Sequence, residues 1–159
     1  MKIAGMICIV LSCSMVGMLV ANEKKKKIRY VEGILYLVRH IKYKITYFRS
    51  ELNKIYEDFS NRFLNDTGFY NELKISDLHT VLNKYNQVYS IREYESNALN
   101  NLALTLGRSS WEDQTDKCTI VIEMLEKYLD ELNTKYPEER KFIASLGIIS
   151  GLLIAVVLV

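Results

Sequence analysis

The sequence predicts an all-α protein, a helical-bundle cytoplasmic domain set between an N-terminal and a C-terminal transmembrane helix. Three observations carry this prediction. The chain has 159 residues and ends in two apolar runs without a charged residue, Ile3 to Ala21 and Phe142 to Val159. Between them apolar residues recur at alternating spacings of three and four, the period of one helix face, and no stretch shows the two-residue alternation of a half-buried strand. Only 7 Gly, 1 Pro and 3 Cys are present, which excludes a collagen-like, disordered or disulfide-stapled chain.

The first run is 19 residues long and, as a helix, covers about 28 Å, roughly the hydrocarbon thickness of a bilayer. The second, of 18 residues, covers about 27 Å, and Arg140 and Lys141 at its near end can snorkel to the interface. The predicted organisation is therefore a transmembrane helix at 1–21, a cytoplasmic helical domain at 22–141 and a second transmembrane helix at 142–159. A wholly soluble monomer is excluded by this distribution. A secretory signal peptide is the competing reading of the first run, because Leu19-Val20-Ala21 resembles a cleavage point. Signal cores are usually about 7 to 15 residues, however, and Lys24 to Lys27 just beyond the run oppose translocation. A lipoprotein signal ending at Cys13 would require cleavage in mid-run.

Orientation follows from the basic residues. Lys24, Lys25, Lys26, Lys27, Arg29 and Arg39 lie just inside the first span, and Arg140 and Lys141 just inside the second, which places the central domain in the cytoplasm. Both termini are then expected outside. The formal net charge of +2 conceals a division, since residues 22–50 carry nine basic and two acidic groups and residues 51–141 eleven and seventeen. The dense cluster Lys24 to Lys27 is suited to anionic headgroups of a lipid bilayer, which argues against nucleic acid as its partner.

Within the domain, Val31, Ile34, Val38, Ile41, Ile45, Phe48, Leu52, Ile55 and Phe59 form an apolar seam sustained for about four heptads, the mark of one long helix. Tyr30, Tyr36, Tyr43, Tyr47 and Tyr56 flank the seam and are expected to widen its buried face. Asn65-Asp66-Thr67-Gly68 ends that helix with turn chemistry. A short second helix is capped by Ser76. A third runs from near Glu93 to Leu106, where Gly107 supplies a left-handed stop. Ser109 and Glu112 have the spacing of a capping box for a fourth, which continues to Tyr136. Pro137 then interrupts it and suits the first turn of the helix that leads into the second span.

No residue pattern points to catalysis. Cys8, Cys13, Cys118, His40 and His79 show no Cys-x-x-Cys or His-Glu-x-x-His spacing, and neither a nucleophile elbow nor a phosphate-binding loop is present. No metal, cofactor or catalytic residue is expected. In the spans, Gly147 and Gly151 form a Gly-x-x-x-Gly pair that is expected to pack against a ladder of small residues, either Cys13, Gly17 and Ala21 or Ala4, Cys8 and Ser12.

Leu106-Gly107-Arg108-Ser109-Ser110-Trp111-Glu112-Asp113-Gln114, and Arg140-Lys141-Phe142-Ile143-Ala144-Ser145-Leu146-Gly147-Ile148-Ile149-Ser150-Gly151-Leu152-Leu153, resemble the stage III sporulation protein AB family. The resemblance extends along the whole chain, though Ile45 to Leu52 matches the family's amino-terminal motif only loosely, with Lys44 at its acidic position and Glu51 at its proline. It implies a helical cytoplasmic domain similar to the F-type platform proteins of type II secretion. It also implies a non-enzymatic scaffold in the mother-cell complex that links mother cell and forespore, with a secretion-type ATPase and ring proteins as partners. A membrane-anchored adaptor or sensor unrelated to secretion is the rival reading, and a homo-oligomer is left open.

Overall fold

The computed structural model describes residues 2–49 and 51–157, with side chains for 22–49, 51–138, Phe142, Ser145 and Ile149. Every regular element among the described residues is a helix: α1 (Lys2–Phe48), α2 (Leu52–Glu57), α3 (Arg62–Asp66), α4 (Phe69–Leu73), α5 (Leu78–Val88), α6 (Glu93–Thr105) and α7 (Trp111–Val157). The chain divides into two units, Lys27–Asp130 and the paired segments Met1–Lys26 and Glu131–Val159. The expected spans at 1–21 and 142–159 lie outside the residues whose side chains are described, apart from Phe142, Ser145 and Ile149. Among the described residues no helix is long and apolar enough to cross a membrane.

In the larger unit α1 is the central element. Tyr30, Val31, Ile34, Leu35, Leu37, Val38 and Ile41 are all buried, so apolar groups cover most of its circumference and only a narrow strip reaches solvent. Around it are buried Leu64 from α3, Phe69 from α4, Val81 from α5, Leu99 from α6, and Cys118, Val121 and Leu125 from α7. Full burial of each such aliphatic or aromatic side chain is worth about 1.5–3 kcal/mol, before chain entropy is counted. α1 and α7 lie side by side within this unit. Arg39 pairs with Glu126, and the Thr46 and Thr115 hydroxyls meet at 3.5 Å, an antiparallel register.

The long helix expected through Phe59 ends instead at Phe48. Arg49 takes a left-handed φ of 46°, and α2 then brings Ile55 into the core from a new direction. An unbroken 3,4 spacing is compatible with a chain that folds back, because two short helices in phase preserve the same numbers. Phe48, counted on the seam, is consequently exposed.

The cap of α5 is Asp77, not Ser76, and its carboxylate accepts from the Thr80 amide and hydroxyl. This helix runs to Val88 and closes with the Ser90 amide on the Gln87 carbonyl and the Ile91 amide on the Asn86 carbonyl. That is a Schellman closure with serine, φ 50°, where glycine is usual. α6 stops as expected, with Gly107 at φ 74°. α7 starts one residue later than the capping box predicts, because the Ser110 hydroxyl accepts from the Asp113 amide. Ser109 donates its hydroxyl to the Thr105 carbonyl instead. Glu112 lies in the first turn of α7, beside Asp113, where the helix dipole favours acids.

Pro137 does not interrupt α7, which passes through it. Proline forfeits one amide and crowds the preceding turn at about 3 kcal/mol, a loss that a helix of 47 residues with a packed face can absorb.

Candidate interaction surface

Two clusters of side chains distinguish the ends of the Lys27–Asp130 bundle. At the end where α1 enters it, the Tyr30 hydroxyl donates to Asn86 Oδ1 at 2.9 Å, and Asn86 Nδ2 donates to Ser96 Oγ at 3.1 Å. Tyr30 stacks on Tyr89 at 4.5 Å between ring centres and on Tyr85 at 6.4 Å. Burial pushes the Tyr30 phenol far above its ordinary range, so it acts only as a neutral donor. Nearby, the Arg92 guanidinium holds the buried Glu95 carboxylate with both oxygens and lies 4.3 Å from the Tyr128 ring centre. Lys27 donates from Nζ to the Ser90 carbonyl at 2.6 Å, satisfying the closure of α5. These polar groups are spent on one another.

At the opposite end the aromatic groups face outward. Tyr43, Tyr47 and Phe48 are 51%, 72% and 60% exposed, with Tyr43 centred 5.2 Å from Tyr47 and 5.6 Å from Phe48. The Arg49 guanidinium lies 5.0 Å from the Trp111 ring centre, and Trp111 is itself 43% exposed. Clustered Tyr, Trp and Arg are the residue types that anchor protein–protein contacts, and several together form a patch with binding capacity. Tyr36, 56% exposed, extends the row along α1.

This surface was only half legible beforehand. Tyr36, Tyr43 and Tyr47, expected to widen the buried face, are exposed, whereas Tyr30 is fully buried. The usable signal is the phase, since Tyr36 and Tyr43 follow Arg29 at intervals of seven and so share its solvent face. Trp111 carried no periodic signal at all.

The interface lysines are divided between roles. Lys25 is exposed, Lys26 pairs with Glu23, Lys24 is half-buried, and Lys27 is drawn onto Ser90. Arg140, Lys141 and the proposed packing residues Gly147, Gly151, Cys13, Gly17 and Ala21 have side-chain placements outside the described residues. Gly107 donates its amide to Gln114 Oε1 at 3.1 Å, so its left-handed turn ties the end of α6 to the start of α7.

Among the described residues no group of three His, Cys, Asp or Glu side chains converges to hold a metal ion. Cys118 is buried, and burial raises its thiol to about 11, which makes it a core residue and a poor nucleophile at neutral pH. His40 lies 5.2 Å from Phe59, and among the described residues its buried Nε2 has no hydrogen-bond partner. Burial, then the Lys44 ammonium, hold its imidazole below the usual range.

That shift has a testable sign. A histidine whose folded value is lowered is protonated first in the unfolded chain, so stability falls as pH drops through about 6.5. The unfolding midpoint, read from the single tryptophan, should decline between pH 7.5 and 5.5 and decline less in His40→Gln. Parallel curves for the two proteins would exclude His40 as a source.

A family model described as stage III sporulation protein AB matches residues 2–159. The chain belongs to that family. No curated protein and no solved structure matches it. Membership gives this stage III sporulation AB protein a role in the third stage of sporulation. The match takes in both apolar runs as well as the bundle, and the turn at Gly107 and the start of α7 lie within it.

Proposed function

We propose that this stage III sporulation AB protein is a non-enzymatic, two-span membrane scaffold subunit of a secretion-like complex between mother cell and forespore. Residues 1–21 and 142–159 are its spans, and the intervening domain faces the cytoplasm, where it meets a secretion-type ATPase and ring proteins. The observation that supports this reading most directly is the extent of α1 and α7. Each is a single helix of 47 residues, and each joins a charge-free stretch, residues 3–21 in α1 and 142–157 in α7, to one wall of the bundle. A helix end that carried only a targeting signal would need no such continuity. Lys24, Lys25 and Lys26 then border the first span, and Arg140 and Lys141 the second, at the level of anionic headgroups. Gly147 and Gly151 offer close helix contact inside the membrane.

The test is recovery of the tagged full-length chain in mild detergent from sporulating cells. Co-purification of a secretion-type ATPase and ring-forming membrane proteins is expected. Recovery with none of them, or with a signalling enzyme in their place, would favour the adaptor reading. Topology is a separate prediction. Asn22→Cys should resist an impermeant thiol reagent in intact cells, while a cysteine in a short tail after Val159 should react. The reverse pattern would invert the protein in the membrane.

A further inference from the structure

Two solvent stripes of the bundle match each other in length and spacing, and at two positions in charge. On α1, Arg29, Glu32, Tyr36, Tyr43 and Tyr47 follow one another at intervals of 3, 4, 7 and 4. On α7 the same intervals, run in the opposite direction, connect Asp130, Lys127, Glu123, Asp116 and Glu112. Each stripe covers 18 residue steps, about 27 Å of helix. Except for half-buried Glu32, every one of these ten side chains is exposed, and among the described residues none of their charged groups forms an ion pair. At the centre of the acidic stripe Ile120 is 65% exposed.

We propose that the α1 stripe of one molecule docks antiparallel on the α7 stripe of a second copy of this chain. The charges determine the occupant and the register. With Tyr36 opposite Glu123, Arg29 falls opposite Asp130 and Glu32 opposite Lys127, two ion pairs of opposite polarity. Tyr43 and Tyr47 then lie opposite Asp116 and Glu112, where phenol hydroxyls donate to carboxylates. The Arg39 stem and the Tyr rings cover Ile120. A slip of one heptad destroys the match, because in one direction Arg39 meets Lys127 and in the other Glu32 faces Ile120. The register within one molecule is different, since there Arg39 holds Glu126. Reversed polarity at two adjacent pairs is the device by which helices select both partner and alignment.

The experiment uses two differently tagged full-length chains, one carrying Tyr43→Cys and the other Asp116→Cys, co-expressed and oxidised in membranes. A mixed disulfide dimer is expected at least fivefold above that of either variant paired with the parent, whose Cys8, Cys13 and Cys118 set the background. Tyr43→Cys with Asp130→Cys, about 21 Å further along the helix, should stay at background. In the same assay Arg29→Glu should reduce the cross-link at least threefold, and Arg29→Glu with Asp130→Arg should restore it. Background yield from the in-register pair, equal yield from the displaced pair, or no rescue by the charge exchange would each overturn the proposal. Should either cysteine variant shift the Trp111 unfolding midpoint, Tyr36→Cys with Glu123→Cys decides in its place.

Discussion

Substitution of Ile45 by Asp should unfold the bundle. Ile45 is 5% exposed, on the face of α1 that forms the core. A carboxylate there has neither water nor a cation, and an unpaired buried charge costs about 3–5 kcal/mol even after the surroundings relax. Domains of this size have only about 5–15 kcal/mol of stability in all. Trp111, the single tryptophan, stands at the start of α7 beside Arg49 and reports the α1–α7 contact by its fluorescence. In detergent, the Ile45→Asp chain should show the emission of the unfolded state at low urea, while exposed Lys54→Glu should change the unfolding free energy by less than about 0.5 kcal/mol. A normal urea curve for Ile45→Asp would mean that the core lies elsewhere.

Gly33→Val is the second large effect, and it arises from space. A Cβ at Gly33 would come within 2.9 Å of Leu64 Cγ and within 3.2 and 3.3 Å of its two methyl carbons. Leu64 cannot yield easily, being fully buried, with its amide bound to Asn61 Oδ1 and its carbonyl to the Thr67 hydroxyl. Valine adds two more carbons to the clash and should cost about 3 kcal/mol, despite its better helix propensity than glycine's. Leu64→Ala alone leaves a cavity worth about 2–5 kcal/mol. Together the two changes should cost clearly less than their sum, since each relieves the other. Additive urea midpoints would show that the close approach is not what requires glycine.

The same position shows how far the sequence could be read. The helical class, the buried face at Val31, Ile34, Val38, Ile41 and Ile45, and the stop at Gly107 were all legible, because each rests on local periodicity or on one residue's backbone freedom. Gly33 was not, since its role depends on Leu64, which lies 31 positions away and belongs to a helix of five residues. The break at Arg49 was hidden for a similar reason. No Gly or Pro marks it, and the contact that accompanies the left-handed turn, the Arg49 guanidinium 5.0 Å from the Trp111 ring centre, joins residues 62 positions apart. Caps were placed within one residue, and the errors at Ser76 and Ser109 arose where two capping residues stand side by side. The outward tyrosines were misassigned because tyrosine suits both a core edge and an exposed contact.

The pairing of the first helix with the last also has a consequence for biosynthesis. Arg39 and its partner Glu126 are separated by 87 residues, and the threonine contact below them by 69. During translation at about 5–20 residues per second, the seam of α1 leaves the ribosome roughly 4–17 s before α7 can cover it. For that interval a nearly all-round apolar helix has only the short helices α2 to α6 for company. A nascent chain that has emerged only as far as residue 110 should therefore be a chaperone client, whereas one whose residue 130 has cleared the ribosome has every wall of its bundle in hand.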